Sequence, residues 1–257
     1  MKNLLKSRVQ NFWLFTKDKE VQALVIGYDY VTGNLIAQLG TKRALLAPED
    51  ITIYQKKNVL DEEIHRLLGS KITCNIIGKN EDDILISRKA VMQKRIQKYN
   101  KGDIVEATVV SASNKALFLE FDEGLSGIMY TNQLTSSKVK KPLDLYEIGD
   151  KIKCVITKKK EDEGYFELSR VALYKTVTLK VERGHTLLCK ITKKLDDSTG
   201  YFVEVLSNPL YSGIFDLNQY NYKHNYRVGE ILNLKVVDVT DNKHLRLRTL
   251  HTNKEVL

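Results

Sequence analysis

The chain has 257 residues, 42% of them hydrophobic, which is enough to bury a sizeable core. It holds no apolar run of the ~18 residues that a membrane helix needs, so a helical span is excluded. Its net charge of +9 and pI near 9.2 fit a polyanionic partner, and its three cysteines, none in a CxxC pair, argue against a zinc knuckle or a disulfide framework.

The first stretch, "MKNLLKSRVQNFWLFTKDKE", is broken by charges and lacks the apolar core and cleavage site of a signal peptide. The expected location is cytoplasmic. Leu4, Leu5, Val9, Phe12, Trp13, Leu14 and Phe15 fit a short amphipathic helix that covers the segment after it. A helix docking on a partner is the alternative.

From residue 18 onward one sentence is repeated three times. "GSKITCNII" starts at 69, "GDKIKCVIT" at 149 and "GEILNLKVV" at 229, a period of 80 residues. Such a period is too long for solenoid repeats and suits a small domain. Each unit opens on an alternating strand: Val21, Ala23 and Val25 match Val105, Ala107 and Val109, then Leu187, Cys189 and Ile191. The second strands are "NLIAQLG", "ALFLEFDEG" and "GYFVEVL". The third are "TKRALLAPEDI", "LSGIMYTNQL" and "YSGIFDLNQ". An irregular or helical stretch such as "LDEEIHRLLG" leads to the glycine of the fourth strand, and "DILISR", "YFELSR" and "HLRLRT" form the fifth.

Five short strands have damaging open edges unless the sheet closes on itself. The expected fold is therefore all-β: three tandem five-stranded OB-type Greek-key barrels with short helical connectors. The expected domains are 1–92 (tail plus repeat 1), 98–174 and 177–252. Leu117, Leu119 and Phe121 should point inward, Phe118 and Glu120 outward; Phe166 and Leu168 inward, Tyr165 and Glu167 outward. Cys74 and Cys154 share one inward strand position and read as buried free thiols.

Charge is patchy. Residues 100–174 carry 11 basic and 12 acidic side chains, 175–257 carry 13 and 9, and the first 99 carry 17 and 11. Much of that last excess lies in the tail and in "RKAVMQKRIQKY" (88–99).

The repeats resemble the S1 RNA-binding domain family, whose OB-fold unit occurs in the large RNA-binding protein of the bacterial small ribosomal subunit. Unit two carries most of the likeness, in "GDIVEATVVSASNKALFLEFDEGLSGIMYTNQL" and "YEIGDKIKCVITKKKEDEGYFELSR". The family pattern runs from a Gly-x-x-Val start through a "GLIHxSEL"-like third strand and a "GDxVxxxV" fourth to an "LS+" end. Unit one adds "GNLIAQLGTKRALLAPEDI" and "GSKITCNIIGKNEDDILISRKAV". No single motif is decisive; their order, repeated at constant spacing over about residues 18–250, is specific.

The resemblance implies that RNA lies across the second and third strands, on two aromatics three residues apart, a histidine and an arginine. Unit two has Lys115, Phe118, Tyr130 and Tyr165 at these positions; unit three has Thr199, Phe202, Asp216 and His244; unit one has Gly33, Ile36, Ala47 and Asp83. Bases need π-faces and phosphates need cations. The candidate RNA contacts are therefore Lys115, Phe118, Tyr130, Lys160 of the "KKK" hairpin, Tyr165 and Arg170 in unit two, with Phe202, His244 and Arg246 in unit three. For each, a core aromatic or a solvated charge is the alternative. Asp216 counts against unit three. Unit one lacks aromatics, which suits a ribosome- or protein-docking role, although Arg43, Arg88 and the 88–99 stretch remain within possible reach of phosphate.

The implied protein is a non-catalytic, monomeric binder of single-stranded RNA acting in translation or RNA handling, without cofactor, metal or membrane. The alternatives are an adaptor whose barrels mainly bind protein, and an enzyme carrying such repeats. No Walker loop, HExxH helix or nucleophile elbow supports the last.

Overall fold

The first strand of each unit hydrogen-bonds to two neighbours, and this closes the sheets. In the computed structural model, which describes residues 19–53, 57–80, 82–122, 124–217, 224–240 and 243–250, fifteen strands form three closed barrels. The expected helix over residues 4–15 lies outside the described residues.

The first barrel contains β1 (Glu20–Tyr28), β2 (Leu35–Leu39), β3 (Lys42–Leu46), β4 (Lys71–Asn80) and β5 (Asp83–Ser87) in the closed order β1-β2-β3-β5-β4. Between β3 and β4 lie α1 (Pro48–Ile51) and α2 (Lys57–Leu67), and α3 (Arg88–Ile96) follows β5. The second barrel has β6 (Ile104–Ala112), β7 (Ala116–Phe121), β8 (Leu125–Tyr130), β9 (Lys151–Lys160) and β10 (Tyr165–Ser169), with α4 (Thr131–Leu134) after β8. The third has β11 (Thr186–Lys194), β12 (Gly200–Val205), β13 (Ser212–Asp216), β14 (Ile231–Thr240) and β15 (His244–Thr249). The third and fifth strands run parallel in the first and third barrels, and the strand order is the same in all three, as expected for a Greek-key barrel.

A bulge sits at one equivalent place in each first strand: Val25/Gly27, Val109/Ser111 and Ile191/Lys193. A bulge bends its strand and increases its twist. Thus Glu20–Leu24 pairs with β4 while Leu24–Tyr28 pairs with β2. The recurring glycine completes this joint. Gly69, Gly149 and Gly229 have φ of +77°, +99° and +89°, and their N–H groups donate to the carbonyls of Val25, Val109 and Ile191 at 2.9, 2.8 and 2.8 Å. The following residue returns the bond, since the Val25, Val109 and Ile191 N–H groups donate to Ser70, Asp150 and Glu230.

Each barrel has its own core. Ala23, Val25, Leu35, Leu46 and Ile86 fill the first, and Ile191, Tyr201, Val203, Phe215 and Leu247 the third. Leu117, Leu119, Phe121, Phe166 and Leu168 are buried in the second, with Phe121 and Phe166 edge to face at 5.3 Å. Cys74, Cys154 and Cys189 lie in three different barrels, fully buried, and burial pushes each thiol up to about 12.

The chain divides into two compact units, one with residues 1–100, 122–126 and 160–165, the other with 101–121, 127–159 and 166–257. Within the second unit, the second and third barrels share a built contact. Arg170 and Glu204 are 8% and 1% exposed and pair at 3.1 Å, and Arg170 also donates to the Leu134 carbonyl at 3.1 Å. Tyr146 lies beside them, its ring centroid 5.9 Å from the Arg170 guanidinium and 5.2 Å from Lys190 Nζ. Lys190 Nζ donates to the Leu145 carbonyl at 2.5 Å. Desolvation pushes the Tyr146 hydroxyl up to about 12 and lowers the Lys190 pKa, with Glu204 opposing the latter shift.

Three measurements follow from this architecture. A Cβ at Gly149 meets nothing within 4 Å, so Gly149→Ala pays backbone strain alone. It should cost about 1–2 kcal/mol in urea unfolding; an unchanged midpoint would mean that the left-handed joint is not required. Arg170→Met strands a buried carboxylate and should cost about 3–5 kcal/mol, while Arg170→Met with Glu204→Leu recovers most of it. Equal losses in the single and double variants would contradict the pair. Ellman's reagent at pH 8 should leave all three thiols of the native protein unmodified over minutes and titrate all three in guanidinium.

Candidate nucleic-acid interface

The outer surface of the second barrel is shaped by where β7 and β8 end. Alternation on β7 buries Leu117, Leu119 and Phe121 and turns Phe118 and Glu120 outward, with Phe118 half-buried on the barrel surface. Lys115 is exposed in the turn before β7. Its carbonyl accepts from both the N–H and the hydroxyl of Thr131 at 2.9 Å, which brings Lys115 beside the end of β8. Tyr130 closes β8 and precedes α4 with extended backbone (φ −70°, ψ 154°), leaving its side chain 44% exposed.

Lys115 and Tyr130 thereby line one cleft of about 450 Å³, together with Asn132, Gln133, Thr157 and Glu167. Thr157 Oγ1 donates to the Glu167 carbonyl at 3.0 Å and fixes the β9–β10 side of it. The cleft presents one cation, one π-face, two amides and one carboxylate. Alternation marked Glu167 as outward but not as a site residue, and Asn132 and Gln133 had only the polar run after Tyr130 in "YTNQL" as a signal, Thr157 none.

Two expected contacts are corrected. Tyr165, expected outward, is only 8% exposed and offers no ring face. Arg170 is buried against Glu204 and serves the contact between barrels. Lys160 remains in its hairpin, paired with Glu163 at 2.9 Å, and neither Lys160 nor Tyr165 lines the cleft.

On the third barrel Tyr201 is buried and Phe202 half-buried and outward, the alternation expected. The ladder places Phe202 beside Ile214, and Ile214 beside Arg246. His244, Arg246 and Arg248 are all exposed on β15. Asp216 does not stand as an unpaired negative charge, because Arg246 Nε lies 3.6 Å from its carboxylate.

The first barrel repeats the geometry without the chemistry. Ala47 precedes α1 with φ −69° and ψ 152°, the conformation of Tyr130, but carries only a methyl. Arg43 pairs with Asp83 at 3.5 Å. Arg88 and Arg95, on a stretch expected to be within reach of phosphate, are instead 3% and 7% exposed and paired with Glu63 and Glu20 at 3.3 and 2.8 Å.

Three closed barrels of this strand order define a protein of tandem OB-fold units. Residues 98–171, the second barrel, match the S1 RNA binding domain family. The match belongs to the second barrel, and the first and third barrels share its strand order. The chain is 23% identical over 240 residues to the small ribosomal subunit protein bS1 homolog of Bacillus subtilis, covering 84% of this chain and 59% of that protein. It is 25% identical over 237 residues to a 4-hydroxy-3-methylbut-2-enyl diphosphate reductase of Clostridium acetobutylicum, covering 85% of this chain and 36% of the reductase. The chain thus spans about a third to three-fifths of the length of these relatives. A solved multidomain protein with nucleic acid binding domains from Streptococcus pneumoniae aligns over 95% of this chain and 77% of its own, at 11% identity and a TM-score of 0.34.

Proposed function

We propose that the chain is a non-catalytic, monomeric binder of single-stranded RNA, acting in translation through mRNA or ribosome association, with functional domains at 1–92, 98–174 and 177–252. The observation that carries this reading is the joining of Lys115 and Tyr130 in one cleft on the barrel that matches the S1 family, with Phe118 outward on the same barrel. A base stacked on an aromatic face gains about 1–3 kcal/mol without regard to its identity. Lys115 supplies a point charge for phosphate. Asn132 and Gln133 offer donors and acceptors, and Glu167 can accept from exocyclic amino groups of bases. A duplex buries these base edges and faces, so the cleft favours flexible single strands.

Cysteine-based catalysis is disfavoured, because the three thiols are buried in three separate barrels and burial raises each pKa to about 12. The likeness to the reductase extends over about a third of that enzyme.

For the first barrel a protein-binding role is favoured by a specific feature. Ile26, Tyr30 and Val31 on β1 and its following turn are 57%, 88% and 94% exposed, and the RNA-facing positions there carry no aromatic. This barrel is proposed as the docking unit for the ribosome or another protein.

Fluorescence anisotropy with a labelled unstructured RNA of about 20 nucleotides tests the RNA reading. Wild type should bind, with affinity falling as salt rises. Phe118→Ala with Tyr130→Ala should weaken binding at least about tenfold while the unfolding midpoint stays near wild type. RNA affinity unaffected by the double substitution would sink the stacking platform and leave the adaptor role.

A further inference from the structure

The connector after α4, "TSSKVKK" (135–141), leaves the second barrel and lies on the third. Ser136 donates to the Pro209 carbonyl from its N–H at 3.1 Å and from its hydroxyl at 2.8 Å. The Ser137 hydroxyl lies 2.7 Å from that of Thr192 and donates to the Val203 carbonyl at 3.2 Å. These bonds deliver Lys138 to the outer face of β12, where its Nζ sits 5.1 Å from the centre of the Phe202 ring.

Among the described residues the third barrel supplies no comparable cation at that ring. Arg246, two strands away, pairs with Asp216 at 3.6 Å. Lys193, directly across the ladder from Phe202, pairs with Asp196 at 3.1 Å. Lys194 lies over Tyr201 instead, 6.0 Å from its centre. Among the described residues Lys138 and Lys140 are exposed and have no carboxylate partner. The aromatic thus comes from one barrel and its cation from the other.

We propose that the second and third barrels hold one continuous RNA strand, in which Phe202 and Lys138 form a composite subsite that neither barrel has alone. The proposal rests on the RNA-binding reading of the cleft and extends it. Gln133 lines that cleft, and Lys138 follows five residues later. Five residues reach at most about 18 Å, or about five rises of a stacked strand at 3.4 Å each. The barrels are locked by the Arg170–Glu204 pair and by the connector itself, so a strand leaving the cleft meets Lys138 and Phe202 without the entropy of ordering a linker. A base stacking on Phe202 displaces the ammonium from the ring, and the flexible lysine stem carries it to the adjacent phosphate.

The test uses the full chain with oligouridylates of about 5 and about 14 nucleotides, lengths chosen to fill one barrel or both. Lys138→Gln should weaken the longer RNA about three- to tenfold and leave the shorter one unchanged. The slope of log affinity against log salt for the longer RNA should fall by about 0.7, the value for one lost phosphate contact on a single strand. Lys138→Arg should keep both properties, and both variants should retain the wild-type unfolding midpoint. An unchanged affinity for the longer RNA in Lys138→Gln, or equal weakening of both lengths, would overturn the composite subsite. Failure of the second-barrel platform reads out separately, as binding of the shorter RNA that survives Phe118→Ala with Tyr130→Ala.

Discussion

A five-stranded sheet becomes a closed barrel only if one strand bonds to two neighbours that diverge from each other. In each unit that strand is the first, and the bend that lets it do so is a bulge at its middle. The bulge leaves the backbone groups just before it in need of partners, and a glycine in the left-handed region, with the residue after it, satisfies both the carbonyl and the N–H. This joint explains why a glycine opens the fourth strand at residues 69, 149 and 229. Closure leaves no long edge free to template aggregation and sets which strand positions face out.

Outward positions then acquire different fates from identical geometry. The residue before the short helix has nearly the same dihedral angles in the first two barrels, yet it is alanine in one and tyrosine in the other. One scaffold can therefore carry a bare apolar surface and an aromatic one without any change of fold. Surface chemistry in this chain thus differs by side chain, from the first barrel to the second, over a similar backbone.

The coupling of the second and third barrels rests on costly chemistry. Glu204 and Arg170 leave water almost completely, and the pair is tolerable only because the guanidinium also bonds to the Leu134 carbonyl and rests near the Tyr146 ring. Apolar side chains could fill the same space at similar or better stability. What a directional ion pair adds is a fixed geometry at the contact between the two barrels.

The sequence by itself determined the barrels. Alternation named inward residues such as Val25, Leu117, Leu119, Phe166 and Leu168, because a side chain's face in a strand depends on parity and on its immediate neighbours. It placed Phe118 and Phe202 outward and the cysteines inward for the same reason. Tyr165, Arg170, Arg88 and Glu204 escaped it. Each occupies an outward or connecting position whose burial comes from residues distant in the chain, so parity carries no information about it. Lys138 escaped it too: nothing in "TSSKVKK" reveals that its lysine ends over a phenylalanine 64 residues later. Which surfaces stay open, and which cation meets which ring, was decided only by the tertiary structure, because both depend on contacts across distant parts of the chain and not on the local pattern of either partner.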